Sequence, residues 1–196
     1  MNMEVPEAPS SEAAADRMRL LAEAAREACS RGAAPVEKWR PAHCGALDLV
    51  IKANGAWIYQ GSPISRPAMV KLFSTVLRRD PEGYVLVTPA EKLSITVEDA
   101  PFLAVEMASA GEGLERRIRF RTNVDEVIDV GPDHRLRFDQ SGEGLKPYVL
   151  VRSDLWALVA RSATYDLVEL MEERDGRLGV AAGGTFFPID SPEAAA

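Results

Sequence analysis

An internal repeat constrains the fold of this 196-residue chain more than any other feature of the sequence. The segment 66–87, RPAMVKLFSTVLRRDPEGYVLV, aligns with the segment 161–180, RSATYDLVELMEERDGRLGV, when two residues are skipped. Matching apolar residues are expected of any two amphipathic helices, but both segments also begin with Arg-x-Ala and reach Arg-Asp before a glycine. The repeat therefore predicts two related units, each built as a hairpin, a helix and a strand.

Apolar periodicity predicts three helices. The first covers Ser11–Arg31, with an apolar face that includes Leu20 and Leu21 and a stop at Gly32. The second is capped by Ser65, has Pro67 in its first turn and ends at the sequence Asp-Pro-Glu-Gly of 80–83. The third covers Ala163–Glu173.

Short runs bounded by Gly, Pro or Asp predict the strands. The clearest hairpin turns at Asn54-Gly55, where a type I′ turn needs two positive φ angles. Further strands are expected at 83–88, 91–99, 102–107, 116–122, 126–130, 135–139 and 146–151, with a closing hairpin at 177–189 and a tight turn at Gly183-Gly184.

These elements predict an α+β fold of internally duplicated hairpin–helix–strand units with mostly antiparallel sheets. The expected organisation is a disordered start and N-terminal helix at 1–34, a first repeat domain at 35–98, a second α+β domain at 99–190 and a tail at 191–196.

Composition narrows the possible partners. The net charge of −7 argues against general nucleic-acid binding, which needs a positive field. No apolar h-region of a signal peptide is visible, and no run approaches the roughly 20 apolar residues of a membrane span. We therefore expect a cytoplasmic protein without a membrane or nucleic-acid partner. Two cysteines are too few for a disulfide scaffold.

Catalytic signatures are largely missing from the sequence. It has no P-loop, no GxGxxG motif after a strand and no GxSxG elbow, and it has two histidines, His43 and His134. A hydrolase that uses Ser62 or Cys44 as its nucleophile is one alternative. The adjacent pair His43-Cys44 lacks the spacing of a zinc site, so we expect neither a metal nor a cofactor.

The stretch Trp57–Arg66, WIYQGSPISR, has two interpretations. In the ligand-binding interpretation, the stretch leads into a helix whose free N–H groups attract anions, and Gly61 lets a ligand approach the backbone closely. Its hydroxyl and guanidinium groups can donate hydrogen bonds, and its aromatic rings can stack on a base. In the structural interpretation, at least one of the aromatic rings packs in the core, Ser65 caps the helix and Arg66 pairs with a carboxylate.

Alternating arginines mark two of the predicted strands, at 117, 119 and 121 and at 135 and 137. If these strands are neighbours, the five arginines share one sheet face. We favour a solvated face whose arginines pair with Asp125, Glu126 and Asp129; the rival is a surface for an anionic partner.

Several motifs resemble an uncharacterised bacterial family, domain of unknown function 1285. The motifs are Cys44-Gly45 with Asp48, the stretch Trp57–Arg66, LVTPAEK at 86–92, DAPF at 99–102, FRTN at 120–123, RLGV at 177–180 and GGTFFP at 183–188. The resemblance implies a domain duplication whose C-terminal half is like a pleckstrin-homology barrel. It also implies binding of a nucleotide-like ligand between the halves, in signal transduction.

We therefore expect a non-catalytic binding protein for a small anionic, nucleotide-like ligand at the interface of the two repeat domains. The candidate ligand contacts are Trp57, Tyr59, Gln60, Ser62, Arg66, Lys92, Asn123 and Arg161. Arg66 and Arg161 would be equivalent anion contacts of the two repeats. A protein-interaction adaptor, with the arginine-rich face or strand edges as its contact surface, is the second alternative.

Overall fold

The computed structural model describes residues 11–29, 34–141 and 144–190, and of residues 11–14, 44 and 141 it describes the backbone alone. The predictions for residues 1–10, Gly32 and 191–196 lie outside this part of the chain. The helices are α1 (Ser11–Cys29), α2 (Pro67–Thr75) and α3 (Arg161–Glu169), with short 3₁₀ helices at Val36–Lys38 and Gly113–Glu115.

The strands of the described residues follow the chain in this order: β1 (His43–Ile51), β2 (Trp57–Tyr59), β3 (Ser62–Pro63), β4 (Leu77–Asp80), β5 (Gly83–Val87), β6 (Lys92–Val97), β7 (Phe102–Ala110), β8 (Arg117–Thr122), β9 (Val127–Asp129), β10 (Leu136–Ser141), β11 (Gly144–Arg152), β12 (Leu155–Val159), β13 (Met171–Arg174), β14 (Arg177–Ala182) and β15 (Thr185–Pro188). This confirms a mixed α+β fold.

The chain divides into two compact units. Of the described residues, unit 1 takes those within Met1–Leu49 and Ile58–Ile95, and unit 2 takes those within Val50–Trp57 and Thr96–Ala196. Unit 2 is therefore discontinuous, because it includes the tip of the hairpin between β1 and β2. The sequence marks a turn at Asn54-Gly55, but it does not indicate that these eight residues belong to another unit than the rest of the hairpin.

Three sheets carry the fold. A six-stranded sheet has the order β3-β2-β1-β6-β5-β4, a second has the order β10-β11-β12-β7-β8-β9, and β13-β14-β15 form a three-stranded sheet. The pair β12 and β7 is parallel, and the other strand pairs with a described register are antiparallel. No pairing of β9 with β10 closes the second sheet within the described residues, so a pleckstrin-homology-like barrel is not confirmed.

Unit 1 has its core between its sheet and its helices. Helix α1 packs against α2 and buries Met18, Leu21, Ala22 and Ala25. The predicted face included Leu20, which is instead 57% exposed. The buried residues recur at the three- and four-residue spacings of one helix face that begins at Met18, and Leu20 lies outside this face.

Unit 2 buries one face of its six-stranded sheet. Alternate residues of β7, β8 and β12, among them Phe102, Phe120 and Ala157, are almost completely buried. Helix α3 adds Ala163 and Leu167 to this core. The alternation of buried and exposed residues is that of a sheet with one face on the core.

Helix α2 ends earlier than the sequence predicts. It stops at Thr75, and Leu77–Asp80 forms β4, which pairs with β5 across the turn at 81–82. The hydroxyls of Ser74 and Thr75 donate to carbonyls three residues earlier, a local bonding pattern that competes with helix continuation. The predicted end of helix α3 is also too late, because Met171–Arg174 forms β13.

The cap of α2 also differs from the prediction. Arg66, not Ser65, is the N-cap residue, and no side chain caps this helix. Pro67 occupies the first turn as expected, where the N–H that proline lacks would have no helical partner.

The hairpin between β1 and β2 turns differently from the prediction. Only Gly55 has a positive φ, of 82°, and the N–H of Gly55 donates to the carbonyl of Lys52 at 2.8 Å. Because Lys52 and Ala56 are also bonded, this is a three-residue loop closed by a glycine, not a type I′ turn. The side chain of Asn54 accepts a hydrogen bond from the N–H of Ala56.

Candidate functional site

A cationic cavity of about 430 Å³ lies in unit 1 at the end of the hairpin between β4 and β5. We call it the cationic cavity; it is lined by Glu37, Arg40, Pro41, Arg78, Arg79, Asp80, Pro81, Glu82 and Lys92. Its lining contains four cationic side chains and three carboxylates. Its volume lies in the ordinary range for small-molecule sites.

Arg78 fixes one wall of the cationic cavity. Its Nη1 donates to the carbonyl oxygens of Val36 and Trp39 at 2.6 and 3.0 Å, and its Nε and Nη2 donate to Asp80 at 2.6 and 3.0 Å. The side chain is only 8% exposed. This bonding ties the segment around Val36 to β4, and it holds the guanidinium in one orientation.

Asp80 is shared between Arg78 and Lys92. The Nζ of Lys92 lies 3.0 Å from Oδ2 of Asp80. The Arg78 guanidinium, with help from Lys92, holds the pKa of the Asp80 carboxyl below its ordinary value, against the opposing effect of burial. The carboxylate is therefore ionised at neutral pH.

Several donors of the cavity have no hydrogen-bond acceptor within the described residues. Nη1 of Arg40 donates to the carbonyls of Glu37 and Trp39, which leaves its Nε and Nη2 groups. One N–H of Arg78 and two of Lys92 also have no acceptor among the described residues. The cavity thus combines positive charge with unused donors, which is what an anion requires.

The stretch Trp57–Arg66 forms a corner at the other side of the same sheet. Gln60 and Gly61 have φ of 47° and 73° and connect the paired residues Tyr59 and Ser62. This is the geometry of a two-residue type I′ turn. The turn accounts for Gly61, so the expected close approach of a ligand is not needed to explain this glycine.

The strand order separates this corner from the cationic cavity. Ser62 lies on β3 and Asp80 on β4, at opposite edges of a six-stranded sheet. With strands about 4.8 Å apart, five steps correspond to roughly 24 Å. Lys92 therefore belongs to one group of predicted contacts, and Tyr59, Gln60 and Ser62 to another.

Arg66 and Arg161 both lie at the start of a nine-residue helix. Arg66 is exposed, and its side chain makes no hydrogen bond or ion pair with other described residues. Nε of Arg161 lies 3.0 Å from the Tyr165 hydroxyl, which raises the pKa of this guanidinium. Arg66 is thus available to a ligand, whereas Arg161 has a neighbour on its own helix.

Trp57 is buried and Asn123 bonds within the protein, although the Nε1–H of Trp57 has no hydrogen-bond partner among the described residues. Trp57 is 2% exposed, so its ring is not on the surface. Asn123 accepts a hydrogen bond from the N–H of Leu103 and donates one to the carbonyl of Gly55, at 3.1 and 3.2 Å. It therefore fixes the hairpin tip to β7 inside unit 2. Burial raises the pKa of the partly buried Tyr59.

The two arginine rows are not adjacent. Strands β8 and β10 are separated by β7, β12 and β11, so the expected face of five arginines does not form. Arg119 pairs with Asp129 at 2.6 Å, and Arg121 pairs with Glu106 and Asp125. The preferred interpretation, a solvated and internally paired face, is confirmed for these two arginines.

Arg137 has a different environment from the β8 arginines. Its guanidinium lies between the rings of Tyr148 and Trp156, 4.7 Å from each ring centroid. The Glu126 that was predicted to pair on the β8 face is instead bonded to Arg152. A charge reversal at Arg137 would therefore disturb packing as well as surface charge.

Neither histidine is hydrogen-bonded to Ser62 in the described part of the chain. Nε2 of His43 shares a hydrogen bond with the hydroxyl of Ser94 at 2.9 Å, and Nδ1 of His134 lies 3.0 Å from the carbonyl of Leu150. The side chain of Cys44 lies outside the described residues. The geometry therefore adds no support to the hydrolase alternative.

Sequence reasoning missed Arg40, Arg78 and Asp80 as site residues. The available signal was the close spacing of Arg78, Arg79 and Asp80 at the end of the first repeat. That signal was assigned to the end of a helix, where the side chains would point in other directions. Only the hairpin places Arg78 and Asp80 side by side and beside Lys92.

The fold and the cavity define a class: an α+β protein of two units with a cationic cavity in its N-terminal unit. Two sequence profiles of one family match, "Domain of unknown function (DUF1285), N-terminal domain" over residues 34–100 and "Protein of unknown function (DUF1285), C-terminal domain" over residues 101–189. The chain belongs to the DUF1285 family, as the sequence motifs predicted.

Solved structures of this family are similar to the chain. A DUF1285 family protein from Silicibacter pomeroyi DSS-3 is 42% identical, with a TM-score of 0.81 over 88% of this chain and 96% of that chain. One from Shewanella baltica OS155 is 26% identical, with a TM-score of 0.50 over 63% of this chain and 91% of that chain. Curated protein sequences give no significant match.

Two features are not found among the described residues. These residues contain no group of three or more His, Cys, Asp or Glu side chains placed to hold a metal ion. None of the helices in residues 11–29, 34–141 and 144–190 is long and apolar enough to cross a membrane.

Proposed function

We propose that this protein binds a small anionic ligand that carries a phosphate group, as nucleotides do, and that the cationic cavity holds the anionic group. The observation that supports this most is the set of unused donors on Arg40, Arg78 and Lys92 around one open cavity. Guanidinium and ammonium donors suit the oxygens of a phosphate.

Preorganisation supports the same proposal. Arg78 is held by two carbonyl oxygens and by Asp80, and Arg40 by two more carbonyl oxygens. Donors that are fixed before binding lose less conformational entropy when a ligand arrives. The lining contributes little apolar surface beyond Pro41 and Pro81, so a polar group fits it better than a base or an acyl chain.

The role is that of a binding protein without catalysis, and the signalling function implied by the family would follow from recognition of the ligand. The proposal puts the anionic group within unit 1, whereas the sequence pointed to the interface of the two repeats. Arg66 and Arg161 are not contacts of the proposed site, because Arg66 follows β3 at the edge of the sheet opposite β4, and Arg161 belongs to unit 2.

A thermal-shift screen of inorganic phosphate, nucleotides and phosphorylated metabolites tests the proposal. A ligand at 100 times its Kd stabilises the folded state by about 2.7 kcal/mol, which raises Tm by roughly 5–10 °C for a chain of this size. Lys92→Met and Arg40→Met should abolish most of the shift. Lys52→Met removes an exposed cation of unit 2 that pairs with Glu98, and it should leave the shift unchanged.

Arg66→Ala and Arg161→Ala complete the set of variants. Both should leave the shift unchanged, because neither arginine lines the cationic cavity. If no compound stabilises the wild-type protein, or if the shift survives in both cavity variants, the proposed function is wrong.

A further inference from the structure

Asp80 is an anion built into the cationic cavity. Its side chain is 12% exposed and accepts hydrogen bonds from Nε and Nη2 of Arg78 and from Nζ of Lys92. These are the kind of contacts that a bound phosphate would make. The carboxylate therefore occupies part of the hydrogen-bonding capacity of the two cations.

The other two carboxylates of the cavity lining differ from Asp80. Glu82 is exposed and has no ion pair or hydrogen bond within the described residues. Glu37 is exposed and has its own interactions. Solvent screens such groups, so their effect on a bound anion is small compared with that of a carboxylate in direct contact with the cations.

We propose that Asp80 competes with the ligand for Lys92 and Arg78, and so sets the affinity of the site as an internal, displaceable anion. This inference rests on the proposed function of the cationic cavity. A ligand with several negative charges gains more than a monocarboxylate from the cations that Asp80 releases. The contact between Asp80 and Lys92 is the one most readily exchanged, since the Lys92 side chain is flexible and Asp80 is its one acceptor among the described residues.

The matched substitutions Asp80→Asn and Glu82→Gln test this inference, because each removes one negative charge from the cavity lining. Removing a charge about 5 Å from a monoanion changes its affinity about fourfold even at the dielectric constant of water. Titration with inorganic phosphate should show at least that gain for D80N and less than a twofold change for E82Q. The side-chain amide that D80N introduces would keep an acceptor for Arg78, so this variant preserves much of the local bonding.

A measurement on the wild-type protein does not depend on the folding of the variant. The carboxyl ¹³C resonance of Asp80 should move when phosphate saturates the site, because Lys92 exchanges one anion for the other. The carboxyl resonance of Glu82 should stay in place. If phosphate binds but the Asp80 resonance does not move, Asp80 is not displaced and the inference is overturned.

The outcomes separate the two proposals. If the wild-type protein binds phosphate and Lys92→Met does not, but D80N binds no more tightly than E82Q, the cavity is a binding site and Asp80 is not its competitor. If the wild-type protein and both variants fail to bind phosphate, the cavity is not an anion site, and the inference about Asp80 is overturned with it.

Discussion

The guanidinium of Arg78 connects two segments of the chain through hydrogen bonds. Four of its five N–H groups donate to Val36, Trp39 and Asp80, which lie on two separate segments of the chain. Removing the side chain would take one charged donor from each of the two carbonyl groups and two from the partly buried carboxylate, at a cost of about 1.5–3 kcal/mol for each hydrogen bond lost. Arg78 is therefore both a wall of the cavity and a structural clamp.

Asp80 gives a prediction about pH. Since Arg78 and Lys92 lower the folded-state pKa of its carboxyl, the ion pair contributes stability that is fully present above the unfolded pKa of about 4. This stability is lost as the pH falls through the lower folded-state value. Urea denaturation between pH 7 and pH 2 should show a smaller loss for Asp80→Asn than for the wild-type protein.

The control for Asp80→Asn is a substitution of a carboxylate that has no ion pair. Glu82→Gln should retain the full acid loss of the wild-type protein, because Glu82 makes no ion pair within the described residues. Equal acid losses in the wild-type protein and D80N would show that the Arg78–Asp80 pair adds no stability of its own.

At the scale of elements, the sequence predicts the type of most segments better than their ends. The apolar stripe that includes Val76 and Leu77 fits both a longer helix and a helix followed by a buried strand, since these residues are buried in either case. The alternatives differ in long-range pairing with β5, which no local pattern reveals. The error hid the juxtaposition of Arg78, Asp80 and Lys92, and so it hid most of the candidate site.

The positions of some turns were predictable, but their type was less so. Gly183 and Gly184 form the expected tight turn, with φ of 55° and 77°. Asp175 and Gly176, at 52° and 75°, also form a two-residue turn with two positive φ angles. At Asn54, the prediction failed because the side chain bonds to the N–H of Ala56 and holds a wider loop. Local hydrogen bonding by asparagine decides between these forms.

The turn between β14 and β15 gives a paired prediction. A Cβ at Gly183 would lie 2.2 Å from the carbonyl oxygen of Val130, whereas one at Gly184 would meet nothing within 4 Å. Both alanine substitutions carry the cost of a positive φ, about 1–2 kcal/mol. Gly183→Ala should cost about 1–3 kcal/mol more, from overpacking against the backbone.

Chemical denaturation of the two variants measures this difference directly, because they share the turn and the substituted residue. Equal losses for Gly183→Ala and Gly184→Ala would mean that the backbone near Val130 moves away without cost. The close packing of this turn against the backbone of Val130 would then be wrong.

At the scale of the whole molecule, the two compact units do not coincide with two continuous pieces of chain. Residues Val50–Trp57 belong to unit 2, where the carbonyl of Gly55 accepts a hydrogen bond from Asn123 and Lys52 pairs with Glu98. The sequence divided the chain near residue 98, and that division remains a prediction. Contacts between distant segments could not be foreseen from local patterns.

A fragment of residues 96–190 tests this organisation. It lacks the hairpin tip, so Asn123 and Glu98 lose partners and the surface beneath the tip becomes exposed. We expect the amide of Leu103, which donates to Asn123, to exchange with solvent at least tenfold faster in the fragment than in the full chain. Equal exchange rates would show that the tip contributes nothing to unit 2.

The central claim is that the cationic cavity of unit 1 binds a phosphate-bearing anion, and residue-resolved NMR titration tests it most directly. Adding inorganic phosphate and then AMP to the full chain should shift the amide resonances of residues 40, 78–80, 82 and 92 together along one saturable curve. Lys92→Met should abolish these shifts, and Lys52→Met should preserve them. Saturable shifts located elsewhere, or no saturable shifts at all, would contradict the claim.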